Sequence, residues 1–213
     1  VVAQPLYDRV IFQPLRYPKG TYDKLTVDGT KPTEVYFSSA SENKLHGLMY
    51  QSNQSDKVVL VSHGNSGNIS HHGYQVGILL KDGVSVFVYD YAGYGRSEGT
   101  TSLGSLQQDA LGAYKYLTVT KHFSRDKIVL FGESIGTLVT GRLAQSVDCN
   151  SIVLELPLYS MRRICCEHFS FDLHAAILQP KKYIRIQGVG HGDAAMLQSK
   201  DYVEGLREFL KSN

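Results

Sequence analysis

The chain has 213 residues, 42% of them apolar and 20% charged, with 22 Lys and Arg against 20 Asp and Glu for a formal charge of +2. Those proportions suit one globular domain with a sizeable core. They exclude the strongly basic surface of a nucleic-acid binder, and no dense Lys/Arg block or aromatic–basic interleaving appears. No apolar run is long enough to span a bilayer, and no secretory leader pattern is present. The first residue is Val1 rather than methionine, so an anchor or address preceding it would lie outside the sequence. The three cysteines are Cys149, Cys165 and Cys166. Three cannot all pair and two are adjacent, which predicts a reducing compartment: the cytoplasm or the cytoplasmic face of a membrane. No Cys/His spacing suggests a metal site, and His71-His72 read as solvated residues of a polar stretch.

In chain order, Leu6 to Pro14 is an apolar-aromatic segment closed by proline, and residues 15–33 read as loop. Glu34 to Phe37 and Lys44 to Tyr50 read as two strands joined by the polar turn Ser38 to Asn43. The pattern then alternates. Lys57 to Val61, Val84 to Tyr89, Lys127 to Phe131, Ser151 to Glu155 and Tyr183 to Gln187 are short apolar strands. Between them, Tyr74 to Leu80, Leu103 to Leu117 and Thr137 to Ala144 carry helical spacing, and Tyr202 to Leu210 closes the chain with a helix. This order predicts an α/β protein: a mostly parallel central sheet with an antiparallel N-terminal hairpin and helices on both faces. No internal repeat or linker divides it, so residues 1–213 read as one domain. Sites in such sheets form beyond the C-terminal ends of the strands.

Three strand ends carry the motifs. Gly132-Glu133-Ser134-Ile135-Gly136 stands between an apolar strand and a helix, the context of a nucleophile elbow. A turn that sharp leaves no room for side chains at its ends, and it lifts the Ser134 hydroxyl to the N-terminus of the following helix. The loop Ser62-His63-Gly64-Asn65-Ser66-Gly67-Asn68 lies where a second oxyanion donor is needed, which predicts the backbone N–H groups of Asn65 and Ile135 as the pair. Asp90 to Gly99 holds three glycines and reads as a shaping loop, with Asp90 and Ser97 structural rather than catalytic. Gly188-Val189-Gly190-His191-Gly192-Asp193 follows the last strand. His191 is the general base favoured by position, with His63, His168 and His174 as alternatives.

On the Tyr7 to Pro14 opening, His63-Gly64-Asn65, Asp90 to Gly99, Gly132 to Gly136 and Gly188 to Asp193, taken in order, the chain resembles α/β-hydrolases of the Bem46 type. That group includes α/β-hydrolase domain-containing proteins 13 and 17. The resemblance implies an α/β-hydrolase fold and a serine hydrolase acting on esters or thioesters, with no metal or organic cofactor. Some relatives remove palmitate from membrane-bound proteins and anchor through a cysteine-rich N-terminal segment. No such segment stands in this sequence, so membrane association is expected only through a segment absent here.

The third triad member is the departure. Only 28 positions separate Glu155 from Tyr183, where a helix, a strand, an acid loop and a second helix need roughly 43. Either the interval is shortened and the acid displaced, or the sequence omits residues, with a break between Met161 and Asp172 or just after Leu178. Asp172, Glu167 and Glu155 are the candidate acids, in no firm order. A non-catalytic binding protein with an incomplete triad is the alternative function. The short interval also predicts no sizeable lid and an open site.

Overall fold

A computed structural model describes residues 12–155 and 199–212. Outside the described residues lie the strand expected over Tyr183 to Gln187, the loop with His191, the candidates Asp172 and Glu167, His168, His174 and the whole of residues 156–182.

The described chain forms eight strands and four α-helices. They are β1 (Gln13–Pro14), β2 (Thr33–Ser38), β3 (Lys44–Tyr50), β4 (Val58–Ser62), β5 (Ser66–Gly67), α1 (Gly73–Lys81), β6 (Ser85–Tyr89), α2 (Leu103–Lys115), β7 (Ile128–Glu133), α3 (Ile135–Leu143), β8 (Ser151–Glu155) and α4 (Lys200–Ser212). A six-stranded sheet runs β2-β3-β6-β4-β7-β8. The hairpin β2–β3 and the β3–β6 pair are antiparallel; β6, β4, β7 and β8 are mutually parallel. All five residues of β4 and of β6 are buried, as expected of strands covered on both faces.

Alternation along the strands sorts the core into two layers. Leu60, Phe87, Tyr89 and Leu130 pack with Leu106 and Ala110 of α2 and Val139 and Leu143 of α3. On the opposite face Val59, Val61, Val86, Val88 and Phe131 pack with Val76 and Leu79 of α1 and Leu206 and Leu210 of α4. Helices therefore lie on both faces, as the alternating pattern predicts.

Two details differ from the sequence expectation. The helix expected over Leu103 to Leu117 is α-helical to Lys115 and then widens, with the Lys121 N–H donating to the Tyr116 carbonyl five residues back at 3.0 Å. Its start is set by a capping box in which Ser102 and Ser105 satisfy each other's backbone N–H groups. The segment read as loop, residues 15–33, follows a short β1 that pairs in parallel with β5 and includes a 3₁₀ turn at Tyr22–Lys24. Among the described residues no helix is long and apolar enough to cross a membrane.

Candidate active site

The elbow falls between β7 and α3. Ser134 sits at φ 51°, ψ −114°, a region that non-glycine residues enter only when their surroundings force it. The flanking glycines are forced too. A Cβ on Gly132 would lie 2.4 Å from the Gly136 carbonyl oxygen and 2.7 Å from Thr140 Oγ1, and one on Gly136 would lie 2.0 Å from the Ser62 carbonyl oxygen. The turn is held from both sides: the Ser134 N–H donates to the Glu155 carbonyl at 2.9 Å. The Ser134 carbonyl accepts from the Thr137 N–H at 3.0 Å and from Thr137 Oγ1 at 2.6 Å. Ser134 is half-buried.

The loop after β4 lies against this turn, because Ser62 and Gly132 are paired neighbours in the sheet. Its backbone is held at each residue. Tyr91 Oη donates to the His63 carbonyl at 2.9 Å, and the Gly64 N–H donates to Glu133 Oε2 at 3.3 Å. His63 Nδ1 lies 2.7 Å from the Gly64 carbonyl, and Tyr94 Oη donates to the Asn65 carbonyl at 2.6 Å. A carbonyl only accepts, so Nδ1 of His63 carries the proton.

Behind the elbow runs a chain of polar side chains, half-buried at Glu133 and buried beyond it. His72 Nδ1 lies 3.2 Å from Glu133 Oε2 and 3.1 Å from Gln75 Oε1. Gln75 Nε2 donates to Glu155 Oε1 at 3.2 Å, and Tyr202 Oη donates to Glu155 Oε2 at 2.6 Å. The electrostatics diverge along it. Burial works against ionised Glu133, but the His72, Gln75 and His63 side chains overcome it and bring the carboxyl down to about 2. Burial likewise opposes a charged His72, and Glu133 outweighs it, leaving the imidazole above its usual value. Among the described residues Glu155 has no cationic partner as near, and burial carries it up to about 7. Burial and the neighbouring His72 push His63 down to about 4, so it is neutral at pH 7.

The structure thus brings Ser134, Ile135 and the Asn65 backbone to adjacent strand ends. It places Glu155 beside them, with both carboxylate oxygens engaged by Gln75 and Tyr202. Asp90 is fully buried, accepts from the Ile69 N–H at 2.9 Å and lies 3.3 Å from His46 Nδ1; Ser97 Oγ donates to the Asp90 carbonyl at 2.7 Å. Both are thus tied into the scaffold. His72 corrects the sequence reading: it is buried and paired with Glu133 rather than solvated. Beyond misreading His72, sequence reasoning gave no site role to Glu133, Gln75, Tyr91, Tyr94 and Tyr202. The one available signal was the pair of tyrosines set among the glycines of the Asp90 to Gly99 loop. Among the described residues no group of three or more His, Cys, Asp or Glu side chains is arranged to hold a metal ion.

Comparison with known proteins adds three findings. A family model described as serine aminopeptidase S33, a hydrolase family, matches residues 53–201. The α/β-hydrolase domain-containing protein 17C of Mus musculus is 34% identical over 217 residues, covering 83% of this chain and 67% of that protein; its Homo sapiens counterpart is also 34% identical, with 65% of its length covered. The chain therefore spans about two thirds of these relatives. Among solved structures, a Pyrococcus furiosus esterase superposes with a TM-score of 0.60 at 25% identity, over 71% of this chain and 58% of that one. A predicted hydrolase from Thermoplasma acidophilum shares the fold, with a TM-score of 0.62 at 16% identity over 87% of this chain and 100% of that one.

Proposed function

The chain belongs to the α/β-hydrolase family, and from that premise we propose that it is a serine hydrolase cleaving carboxylic ester or thioester bonds through an acyl-enzyme on Ser134. The observation that carries the reading is the backbone of Ser134, held at φ 51° between two glycines that tolerate no Cβ. A strained residue kept at a strand end, at the N-terminus of a helix, is what an exposed nucleophile requires.

In this reading Ser134 Oγ attacks the acyl carbon while His191 takes its proton through Nε2. The Oγ–C bond forms, and the carbonyl oxygen becomes an oxyanion met by the N–H groups of Asn65 and Ile135. Collapse breaks the bond to the alkoxide or thiolate, which leaves with the proton from His191. Water, deprotonated by the same imidazole, then frees the acid and regenerates Ser134. The acid that orients His191 is unassigned among Asp172, Glu167 and Glu155. The half-buried position of Ser134 favours a site open to solvent.

A fluorophosphonate probe tests the nucleophile: the adduct is expected on Ser134, and labelling that persists in Ser134→Ala removes it from the mechanism. A series of p-nitrophenyl esters from acetate to palmitate, with a thioester set beside it, reads acyl length and leaving group. Turnover no faster than buffer across both sets supports the alternative, a binding protein that retains the fold.

A further inference from the structure

We infer that Glu133 and Tyr94 are positioning residues for the oxyanion loop: they clamp the peptide planes on either side of the one that carries the Asn65 N–H. The catalytic consequence rests on the hydrolase reading above; the clamp itself does not.

A peptide unit is planar, so its carbonyl and its N–H turn together. The plane between His63 and Gly64 is held at both ends, by Tyr91 Oη on the His63 carbonyl and by Glu133 on the Gly64 N–H. The plane between Gly64 and Asn65 carries the N–H assigned to the oxyanion, and its carbonyl is tied to His63 Nδ1 at 2.7 Å. The next plane is held by Tyr94 Oη on the Asn65 carbonyl at 2.6 Å. Gly64 has the backbone freedom to let the middle plane turn over. With both neighbours held, one orientation keeps all four bonds.

The clamps are themselves rigid. Tyr91 and Tyr94 are buried, and their loop is fixed by the Ala92 N–H donating to Asp109 at 2.8 Å and by Thr101 Oγ1 donating to the Ala92 carbonyl at 2.6 Å. The ring of Tyr91 packs on that of His63, with centroids 4.4 Å apart. Glu133 is the residue just before the nucleophile. One carboxylate oxygen meets His72 from the N-terminal end of α1 and the Gly64 N–H of the oxyanion loop. The same side chain therefore ties the elbow to the loop that faces it.

The variants are Glu133→Ala, Glu133→Gln and Tyr94→Phe. Glu133→Gln keeps an oxygen for the Gly64 N–H, and Tyr94→Phe keeps the ring and loses only the hydroxyl. Loss of an oxyanion donor reduces kcat by about 10²–10³, and a donor left in place but misdirected is expected to reduce it by about 10-fold or more. That drop should appear in kcat with KM nearly unchanged for Glu133→Ala and Tyr94→Phe, with Glu133→Gln recovering most of it. Amide hydrogen exchange at residues 64–66 gives a second readout and is expected to quicken in the same two variants. Values of kcat within twofold of the parent, or losses confined to KM, overturn the catalytic role. Unchanged exchange in both variants overturns the clamp. A parent protein with no turnover and no Ser134 adduct overturns the hydrolase reading instead, and the exchange measurement still decides whether the loop is clamped.

Discussion

Gly136 and Ser62 touch backbone to backbone: a methyl group on Gly136 would stand 2.0 Å from the Ser62 carbonyl oxygen. The first turn of α3 thus rests directly on the end of β4, and this contact sets how near the nucleophile lies to the 63–65 loop. The listener to this contact is the backbone itself, which cannot swing aside as a flexible side chain would. Gly136→Ala is therefore expected to cost about 1–3 kcal/mol as an overpacking change. For a chain of this size that lowers the thermal midpoint by roughly 2–4 °C per kcal/mol. Probe labelling of Ser134 should fall with it. A midpoint unchanged from the parent would mean that the helix and the strand end are not in contact.

The strain at Ser134 has a measurable sign. A non-glycine residue at φ 51°, ψ −114° carries about 1–3 kcal/mol of backbone strain, which glycine does not feel. Glycine also raises the entropy of the unfolded chain by about 0.5–1 kcal/mol. The net expectation for Ser134→Gly is a protein as stable as the parent or up to about 2.5 kcal/mol more stable, and without activity. Urea unfolding of the two proteins decides it. A clear loss of stability in Ser134→Gly would mean the side chain contributes contacts that outweigh the strain.

The strands of the parallel sheet and the elbow were legible because they depend on local text. Val58 to Val61 and Ile128 to Phe131 are apolar runs too short for helices, and two glycines around a serine after a strand leave few alternatives. The hairpin was legible for the same reason: Lys44 to Tyr50 sits between turn residues, and its bounds agree with β3. The partners that shape the site were not legible, because they meet only in three dimensions. Glu133 and His72 stand 61 positions apart, and Tyr202 reaches Glu155 across 47. Nothing periodic marks His72 as buried, since a histidine in a polar stretch reads as solvated until the sheet brings a carboxylate to it. The widened end of α2 over Tyr116–Thr120 also lacks a sequence signal, because Tyr, Leu, Thr and Val fit an ordinary helix as well.

The Glu133–His72 pair should give a stability difference that depends on pH. Glu133 is depressed to about 2 from a usual 4.5, so its contribution is present above 4.5 and is lost as pH falls toward 2. His72 is raised above 6.5, so its contribution is complete below 6.5 and is lost as pH rises through the folded value. Both groups contribute between about pH 4.5 and 6.5. His72→Ala leaves a half-buried carboxylate without its cation and is expected to cost up to about 3 kcal/mol in that window, below the range for a fully buried pair. The gap between variant and parent should narrow as pH rises through the folded value of the His72 imidazole. Urea unfolding in steps from about pH 5.5 upward measures it; a gap that stays level throughout would assign the loss to packing rather than charge.

Glu155 predicts the opposite use of a carboxyl. Its folded value is raised to about 7 from a usual 4.5, first by burial and then by the charge of Glu133, with Tyr202 and Gln75 pulling it part of the way back. The folded protein therefore holds a proton that the unfolded chain releases, and this group's contribution falls as pH rises from about 4.5 to about 7 and is level beyond. At about 1.4 kcal/mol per unit the fall is at most about 3.4 kcal/mol. Asp109, raised to about 7 by burial, and His72 bend the parent's profile in the same direction, so the parent alone cannot isolate Glu155. Its contribution is the difference between the parent and Glu155→Gln, a variant that keeps the shape and an oxygen for the Tyr202 hydroxyl while carrying no charge. Between pH 4.5 and 8 the variant is expected to lose less stability than the parent. Tyr202→Phe removes the hydrogen bond that favours the ionised form, so its folded value should climb further and its decline should extend to higher pH. Urea unfolding in half-unit pH steps reads all three proteins, and parallel profiles for the parent and Glu155→Gln would show that the carboxyl is already ionised where it lies.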